Sequence, residues 1–531
     1  MLPLSSAIRD GLSGTLQKAP RFGDDVATRL ARAFVACDEG LLRACLEEGV
    51  DPNLTLIGGH TPVTLLLSTT TSDRWENLVR LLLEAGASPD TRDPQGTPLV
   101  SLLVIAGSSD LVSLMLDKGA DVNICGCSDE TPLLNAVHYR QLECARLLLN
   151  RGADPNTPSN DGNSALMWAA GRSNGIGMQR SLACVNLLLK HGAHVNFRNR
   201  RGFTPLMASA VIREREMVRS LLAAGADPDM TDDRGETALI KAADADAEEV
   251  IAELLAAKAS VNTQSRSGCT ALMSAVSTTV LTRLLQHGAD PRLAARDGNT
   301  PLHHQVMGSR PELARLLLEH GADLEARDGQ GNTPLQTSVR CKSYAATHLL
   351  LDKGAIAAAV NDMGVSALHD ALLPWDYFNT HDVFSTLNTP SLMAELLYYF
   401  RSGSDMTLAV VERLLERGAD PHLEGEQGVT PLMLAAACGH ERLLRLLLEA
   451  GASSGCRDAH GRTALAYACK WGHTHLVDAL LAHNSPVNTI DIHHNLPIYY
   501  AAHYAHTPIV MTLMVEFAFY VYYHRLQDRG P

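Results

Sequence analysis

Aromatic side chains are scarce in this 531-residue chain and make up only 5% of it. They are also unevenly placed, because 15 of the 25 Phe, Trp and Tyr residues fall in residues 374–404 and 499–523. The rest of the chain is poor in aromatic residues.

A single globular core rarely grows to a length of 531 residues. A chain built from small units that contact only their neighbours has no such limit.

Positive charge is also in deficit. The formal net charge is −14, which disfavours nucleic acid or an anionic membrane surface as the main partner. The cluster of Arg198, Arg200 and Arg201 is a local exception, and we expect it to be a solvated hairpin tip.

The cysteine spacing of a disulfide framework is missing, and the first residues show no apolar signal core. Its eleven cysteines are scattered singly, and an odd count without paired spacing argues against a disulfide framework and for a reducing compartment. Cys125 and Cys127 form the one close pair, and no second pair completes a zinc site. The first residues have no apolar signal core, so we expect the cytoplasm or the nucleus.

Motifs for catalysis are missing. The sequence contains no GxxxxGK phosphate loop, no G-x-S-x-G elbow and no distinctive pair of carboxylates. Eight of the 22 histidines lie from His473 onward, but His473 and His506 occupy the same turn position as His440. We therefore predict a non-enzymatic protein with no catalytic residues, no cofactor and no metal ion.

A sequence pattern recurs throughout the chain at a period of about 33 residues. Thr430-Pro431-Leu432 returns as Thr463-Ala464-Leu465, and Gly439-His440 returns as Gly472-His473. Nearly all of the remaining chain repeats this pattern. Self-similarity at such a period indicates a stack of small structural units.

Each copy predicts two helices. The Thr430 hydroxyl can accept a hydrogen bond from a free backbone N–H at a helix start, and Pro431 suits the first helical position. A second helix follows, with Leu444 and Leu447 on its buried side. Gly451 then ends it, because glycine enters the left-handed conformation without a Cβ clash.

This arrangement resembles the ankyrin repeat, on the strength of the Thr-Pro-Leu start, the Gly-His turn, the Leu-Leu-Leu helix and the Gly-Ala-Asp close. The resemblance implies an all-α fold, an ankyrin-repeat solenoid of helix-turn-helix units joined by short β-hairpins or turns. We number fourteen repeats by their first residues, the first and last being degenerate: Thr28, Thr61, Thr97, Thr131, Ser164, Thr204, Thr237, Thr270, Thr300, Thr333, Ser366, Thr430, Thr463 and Leu496.

One residue of the family pattern is mostly absent. The His that follows Thr-Pro-Leu remains only at His303 and His369, and an apolar residue such as Met273 usually replaces it. We expect those units to lose polar bonding between loops and to keep the fold.

Four repeats depart from the common length. The starts are 36 residues apart after Thr61, 40 after Ser164, 30 after Thr270 and 64 after Ser366. All four changes lie mainly between the first and second helix, which predicts one tolerant edge of the stack.

We divide the chain into five segments. They are an irregular N-terminal segment (1–23), a first array block (24–373), an aromatic-rich insertion within a repeat (374–404), a second array block (405–517) and an apolar C-terminal tail or cap (518–531). Lys258 stands where most repeats have Gly, and the next repeat is shortened. This favours either a soft joint near 240–285 or a rigid but slightly irregular stack.

The insertion supplies the first candidate partner-binding residues. It has too many large apolar groups for a free linker, and 392–400 has the pattern of a short helix. These side chains either pack onto the array or anchor a partner, since Trp and Tyr dominate interface energetics. The candidates are Trp375, Tyr377, Phe378, Tyr398, Tyr399 and Phe400.

The C-terminal stretch supplies the second set. By alignment, 509–517 is the last second helix, and the residues beyond it form a cap that folds back, is covered by a partner or another copy of the chain, or touches a membrane. A membrane span is not expected, because the apolar run is short and contains Glu516. The candidates are Phe519, Tyr520, Tyr522 and Tyr523.

The resemblance implies a scaffold or adaptor that binds other proteins along a concave face of hairpin tips and first helices. The alternative is a regulatory or docking subunit of a membrane-associated or enzymatic assembly, attached through its apolar C-terminus. Self-association through the C-terminal tail is a further alternative.

Overall fold

The computed structural model describes residues 26–56, 59–69, 75–126, 129–171, 178–372 and 404–527. Its chain divides into two compact units, unit 1 at residues 1–265 and unit 2 at residues 266–531. The described residues form 28 α-helices, arranged as fourteen successive pairs, one pair per predicted repeat. The predicted all-α solenoid of helix pairs is therefore confirmed.

Unit 1 contains repeats 1 to 7. Its helices are α1 (Val26–Ala36), α2 (Glu39–Glu47), α3 (Pro62–Thr69), α4 (Trp75–Glu84), α5 (Leu99–Ala106), α6 (Ser109–Asp117), α7 (Pro132–His138), α8 (Leu142–Asn150), α9 (Ala165–Ala170), α10 (Met178–Lys190), α11 (Pro205–Val211), α12 (Arg215–Ala223), α13 (Ala238–Asp244) and α14 (Glu248–Ala256).

Unit 2 contains repeats 8 to 14. Its helices are α15 (Ala271–Ser274), α16 (Thr278–Gln286), α17 (Pro301–Met307), α18 (Pro311–Glu319), α19 (Pro334–Arg340), α20 (Tyr344–Asp352), α21 (Ala367–Leu372), α22 (Ser404–Glu416), α23 (Pro431–Cys438), α24 (Glu441–Glu449), α25 (Ala464–Trp471), α26 (Thr474–Ala482), α27 (Pro497–His503) and α28 (Thr507–Gln527).

The starting Thr caps the first helix, as predicted. In repeat 12 the Thr430 hydroxyl accepts a hydrogen bond from the Met433 N–H at 3.4 Å, and Pro431 occupies the first turn. In repeat 4 the corresponding bond joins Thr131 and the Leu134 N–H at 3.2 Å. The start of repeat 1 differs, because α1 already includes Thr28.

Leucines of the second helices form the core. Leu444 and Leu447 are fully buried, and Gly451 adopts a left-handed φ of 90° after α24, as predicted. Within each unit, first helices contact first helices and second helices contact second helices of neighbouring repeats. The buried leucines therefore join successive repeats into one continuous core per unit.

Lys258 adopts the left-handed conformation with a φ of 65°, at the position where most repeats have glycine. For a residue with a Cβ, this conformation costs roughly 1–2 kcal/mol. The boundary between the two units falls after Ser265, inside the stretch 240–285. Whether this stretch is softer than the rest of the array stays a prediction.

The four length changes lie mainly between the first and second helix, as predicted, but helix lengths change as well: α15 has only four residues, whereas α10 and α22 have 13 each. Residues 70–74, 172–177 and 373–403, which lie between the two helices of their repeats, are outside the described residues. The long insertion does not interrupt the stack. Its flanking helices belong to one repeat: Arg413 of α22 binds Asp352 of repeat 10 at 2.6 Å, and His369 of α21 bonds the Val429 carbonyl at 3.4 Å.

The shortened repeat 8 is completed by its neighbour. Its first helix, α15, has only four residues, and the chain leaves it in an extended conformation at Ala275. The Gln305 amide of repeat 9 donates to the carbonyls of Met273 at 3.3 Å and Ala275 at 3.1 Å. Arg310 donates to the Ala275 carbonyl as well, at 3.3 Å. These two side chains satisfy carbonyls at the point where the short helix stops.

The last helix is longer than predicted. Instead of ending at Phe517, α28 continues to Gln527 without a break, so the backbone of 518–527 does not fold back as a cap. Ile509 and Leu513 are buried, whereas Met511, Met514 and Val515 are each more than half exposed.

Replacing Gln305 by Ala tests whether its hydrogen bonds to the shortened repeat 8 stabilise the fold. Gln305→Ala removes both bonds to buried carbonyls, so we expect the free energy of unfolding to fall by about 1–3 kcal/mol in urea titrations. The control is Gln286→Ala in α16, where the side chain is exposed and the expected change is within about 0.5 kcal/mol. Equal effects of the two substitutions would refute this role of Gln305.

Candidate functional site

The hairpin tips between repeats are held by short polar side chains. The Asp458 carboxylate accepts hydrogen bonds from the N–H groups of His460 at 2.9 Å and Arg462 at 2.7 Å, which closes its own turn. Asp or Asn residues make the same pair of bonds at Asp93, Asn199, Asp232, Asp328, Asn361 and Asp491. The backbone of each of these tips is thus held in a defined turn by side-chain hydrogen bonds.

Arginines bridge one tip to the next. Arg92 donates to the Cys125 carbonyl at 2.8 Å, Arg198 to Thr231 at 3.0 Å and Arg327 to Val360 at 2.6 Å. Arg457 donates to Ile490 in the same way. Each of these arginines immediately precedes the Asp or Asn that closes its hairpin.

Arg198 is exposed on the hairpin tip, as expected, and it also forms one of these bridges. Arg200 and Arg201 are exposed. The recurring Arg-Asp or Arg-Asn dipeptide is the sequence signal that would have identified the bridge.

The two family histidines also join neighbouring loops, as the resemblance implied. His303 contacts the Thr300 hydroxyl through Nδ1 at 2.9 Å and the Asn332 carbonyl through Nε2 at 3.2 Å. Burial lowers the pKa of His303, and it lowers the pKa of His369 to about 4. Gln336 substitutes for this histidine in repeat 10 and donates to the Val365 carbonyl at 2.7 Å.

The Gly-His turns are packing sites, as expected from their position. The His473 ring reaches the Ala437 carbonyl at 3.1 Å by lying against Gly439, where an added Cβ would come within 2.6 Å of the ring. His506 has the same relation to Gly472 and to the Lys470 carbonyl. These histidines therefore connect each repeat to the preceding one.

One side of the first helices carries side chains that vary in size, charge and burial from repeat to repeat. The fourth and seventh residues after each repeat start share one side of the first helix, because they lie three apart. We call these positions, together with the hairpin tips, the first-helix face of each unit. Their side chains differ from repeat to repeat, whereas the leucines of the second helices do not.

In repeats 4 to 6 of unit 1 this face, together with the residue that follows α7, is largely aromatic and apolar. The His138 ring lies 4.8 Å from the rings of both Tyr139 and Trp168. Tyr139 is 37% exposed and Val211 is 47% exposed. The surface thus offers aromatic rings at repeats 4 and 5 and an exposed aliphatic side chain at repeat 6.

In unit 2 the same face contains buried polar groups. Arg340 binds Asp370 at 3.2 Å, and Asp370 has no exposed side-chain surface. Burial raises the pKa of Asp370 to about 6 despite the adjacent Arg340 guanidinium. Further along, Asp458 accepts from both Arg462 and Tyr467 at 2.8 Å.

The terminal repeat adds a cluster of rings to unit 2. Tyr499 lies 5.9 Å from Tyr500 and stacks on His503 at 5.7 Å, and His503 meets Tyr504 at 4.9 Å. Tyr499 and Tyr504 are each 47% exposed. These rings were counted in the aromatic stretch 499–523, but none of them was a candidate contact, because they align with the first helix of a regular repeat.

The residues predicted as partner contacts fall at the limits of the described structure. Trp375, Tyr377, Phe378, Tyr398, Tyr399 and Phe400, with the predicted helix at 392–400, lie outside the described residues. Phe519, Tyr520, Tyr522 and Tyr523 belong to α28, but their side chains are not among those described. Their role in binding stays a prediction.

Within the described ranges, no group of three or more His, Cys, Asp or Glu side chains is close enough to hold a metal ion. No described helix is both long and apolar enough to cross a membrane. His493 and His494 are exposed on a hairpin tip.

Comparison with known families identifies the repeat. The model of the family described as ankyrin repeats, which spans three copies, matches most of the chain in overlapping segments. These segments are 71–159, 101–199, 156–232, 206–295, 277–362, 400–491 and 453–522.

Curated relatives share parts of the chain. A putative ankyrin repeat-containing protein of Treponema pallidum is 36% identical over 19% of this chain and 34% of its own length. The B-cell lymphoma 3 protein homolog of Mus musculus is 32% identical over 27% of this chain and 33% of its own. The E3 ubiquitin-protein ligase KEG of Arabidopsis thaliana is 35% identical over 18% of this chain and only 6% of its own. The matches thus span about a third or less of these relatives.

The buried Asp370 predicts a pH-dependent stability. Its pKa in the folded chain, about 6, lies above the ordinary value of 3.8, so its contribution to stability is full below pH 3.8 and is lost as the pH rises through 6. Asp370→Asn, which stays neutral, lacks this loss. Between pH 4 and pH 7 we expect wild type to lose about 2–3 kcal/mol of unfolding free energy relative to the variant. A pH-independent difference in urea unfolding would rule out the buried-carboxyl account.

Proposed function

The chain belongs to the ankyrin-repeat family, and on that basis we propose that it is a non-enzymatic scaffold or adaptor that binds other proteins along the first-helix face. Ankyrin repeats generally mediate protein–protein interaction. The observation that supports this assignment is that the two helices of each repeat differ in the side chains they bury and expose. Second helices supply the buried leucines, whereas the first-helix face presents partly exposed side chains such as Trp168 and Val211.

The architecture favours binding over catalysis. Catalysis needs several groups preorganised around one reacting centre. In the described residues several titratable groups on this face are instead paired within the fold, as Arg340 is with Asp370 and Arg462 with Asp458. A row of repeats offers broad exposed area, with aromatic anchors of the kind that dominate protein interfaces.

Two substitutions in repeat 6 test the assignment. Val211→Glu places a carboxylate on the first-helix face, and Ala223→Glu places one on the exposed end of α12. Met307→Glu samples the corresponding position of unit 2. Proteins recovered by proximity labelling are purified and titrated directly against each variant. We expect at least one first-helix substitution to weaken binding about tenfold or more, which corresponds to about 1.4 kcal/mol, and Ala223→Glu to change it little.

Two outcomes would defeat the assignment. One is that every directly bound protein tolerates both first-helix substitutions. The other is that Ala223→Glu abolishes binding as fully as they do. Circular dichroism of each variant serves as the control for folding.

A second candidate function is favoured by the last helix. At the positions of Met511 and Val515, repeat 12 carries the charged residues Arg445 and Glu449. The exposed side of α28 is therefore apolar where an earlier second helix is charged, as expected for a subunit that docks on a larger assembly through its C-terminal region.

The double substitution Met511→Arg and Val515→Glu gives this helix the side chains of repeat 12. If the apolar side docks, the variant should shift from a large assembly to the free chain in size-exclusion chromatography of native extracts. Since both positions are exposed, thermal stability should stay unchanged. An unaltered elution profile would exclude docking through this side of α28.

A further inference from the structure

The last repeat exposes a surface that earlier repeats bury. The sixth residue after the repeat start is fully buried in repeats 12 and 13, where it is Ala436 and Cys469. The same position of repeat 14, Ala502, is exposed. Repeats 12 and 13 are each followed by another first helix, and α23 contacts α25 as α25 contacts α27. The burial of this small side chain therefore accompanies the presence of a further repeat.

The last second helix shows the same difference. Val477 of α26 is fully buried, whereas Val510, at the same position of α28, is partly exposed. Leu448 of α24 is buried, whereas Met514, at the same position of α28, is 58% exposed. Val510 and Met514 lie four residues apart and so share one side of the helix. We call Ala502, Val510 and Met514 the end face of the array.

The array does not continue from this face through a further hairpin. Gly451 and Asn484 follow the second helices of repeats 12 and 13 in the left-handed conformation, with φ of 90° and 57°. At the same position α28 has Phe517, which stays helical, and the helix runs on to Gln527. A terminal repeat normally covers the stack with a polar outer face. Here the end face is apolar, so it has the composition of an interface between repeats.

The last repeat is also nearly free of charge. Between Leu496 and Phe517, Glu516 is the one Asp, Glu, Lys or Arg residue. The whole chain carries −14, so two copies repel each other, and the repulsion is weakest where the fewest charges meet. A neutral apolar face offers a charged partner no ion pair, whereas it matches a second neutral apolar face. Another copy of the chain presents such a face on a helix pair of the same spacing.

We propose that two copies of the chain associate through their end faces, so that the last helix pair of one copy packs on the last helix pair of the other. Both copies use the same surface, and such an interface closes at a dimer. The contact continues the packing of repeat on repeat that already joins the helices of unit 2. This inference goes beyond the proposed function, because a dimer presents two first-helix faces and a scaffold with two faces can hold two partner molecules.

The length of α28 suits this contact. It has 21 residues and is about 31 Å long, whereas α24 and α26 have nine residues each and are about 14 Å long. Residues 518–527 therefore extend past the length of the preceding second helices. An isolated helical segment this short is marginal in water. A second α28 lying beside it in the dimer provides packing along this extension.

The test is the mass of the purified full chain in sedimentation experiments across about a hundredfold range of concentration. We expect the fraction of a two-chain species to rise with concentration, and no species larger than a dimer. Because apolar contacts hold the dimer against the net charge of −14, raising the salt concentration should strengthen it.

Two matched pairs of substitutions locate the contact. Met514→Glu and Met511→Glu change the same residue type on the same helix, at positions that are 58% and 62% exposed. Ala502→Glu and Ala482→Glu change exposed alanines, and Ala482 is the last residue of α26. Met514→Glu and Ala502→Glu should raise the Kd of the dimer at least about tenfold, and their controls less than about threefold. Circular dichroism at a concentration where wild type is monomeric checks the folding of each variant.

The proposal fails if wild type is monomeric at every concentration, if Met511→Glu weakens the dimer as much as Met514→Glu, if the assembly grows beyond two chains or if salt dissociates it. A monomeric chain that sediments with neutral phospholipid vesicles, and no longer does so with Met514→Glu, would assign the end face to a membrane instead. The scaffold assignment is tested separately, because binding of a partner can depend on Val211→Glu whether the chain is a dimer or a monomer.

Discussion

Contact between neighbouring repeats is the constraint on which the structure depends. Ordering one unit of about 33 residues opposes folding by on the order of 50 kcal/mol, and one small apolar face does not offset that. Leucines such as Leu444 and Leu447 reach complete burial only because adjacent helix pairs cover them. Any change that preserves the contact between repeats is tolerated, and any change that disrupts it requires local compensation.

Two irregular repeats illustrate this rule. Repeat 11 carries the long insertion between Leu372 and Ser404, and the contacts of His369, Arg413 and Arg417 with neighbouring repeats are still made. In repeat 8 the first helix is too short, and Gln305 of the next repeat bonds the carbonyls left behind. Because stacking uses the leucines and the loop bonds, the outward positions of the first helices are left to vary, and this is where we place function.

Much of this fold could be predicted from single residues. Thr430 and Pro431 start a helix, Gly451 ends one, and Gly439 with His440 forms the turn between two helices, since each acts within its own repeat. Hydrogen bonds that depend on the structure of the neighbouring repeat were not predicted. The Gln305 amide bonds the Met273 carbonyl of the shortened repeat 8, and Arg198 bonds a carbonyl of the next hairpin.

The candidate site was less predictable than the fold. The scarcity of aromatic residues directed attention to 374–404 and the C-terminal tail, where rings are concentrated. Yet the described face of unit 1 depends on isolated residues such as His138 and Trp168, which become neighbours only because repeats 4 and 5 stack. The continuation of α28 to Gln527 was also missed, because the alignment with preceding repeats ends the helix at their shorter length.

Hydrogen exchange in a chain with Leu447→Ala tests the stacking account most directly. The substitution opens a cavity in the core of repeat 12 and should cost about 2–5 kcal/mol. If neighbours stabilise one another, amides of repeat 12 should exchange fastest, those of repeats 11 and 13 should be accelerated less, and those of repeats 8 and 9 should keep near wild-type protection. Equal acceleration of every amide in unit 2 would contradict the account, because it would show one global core instead of a stack.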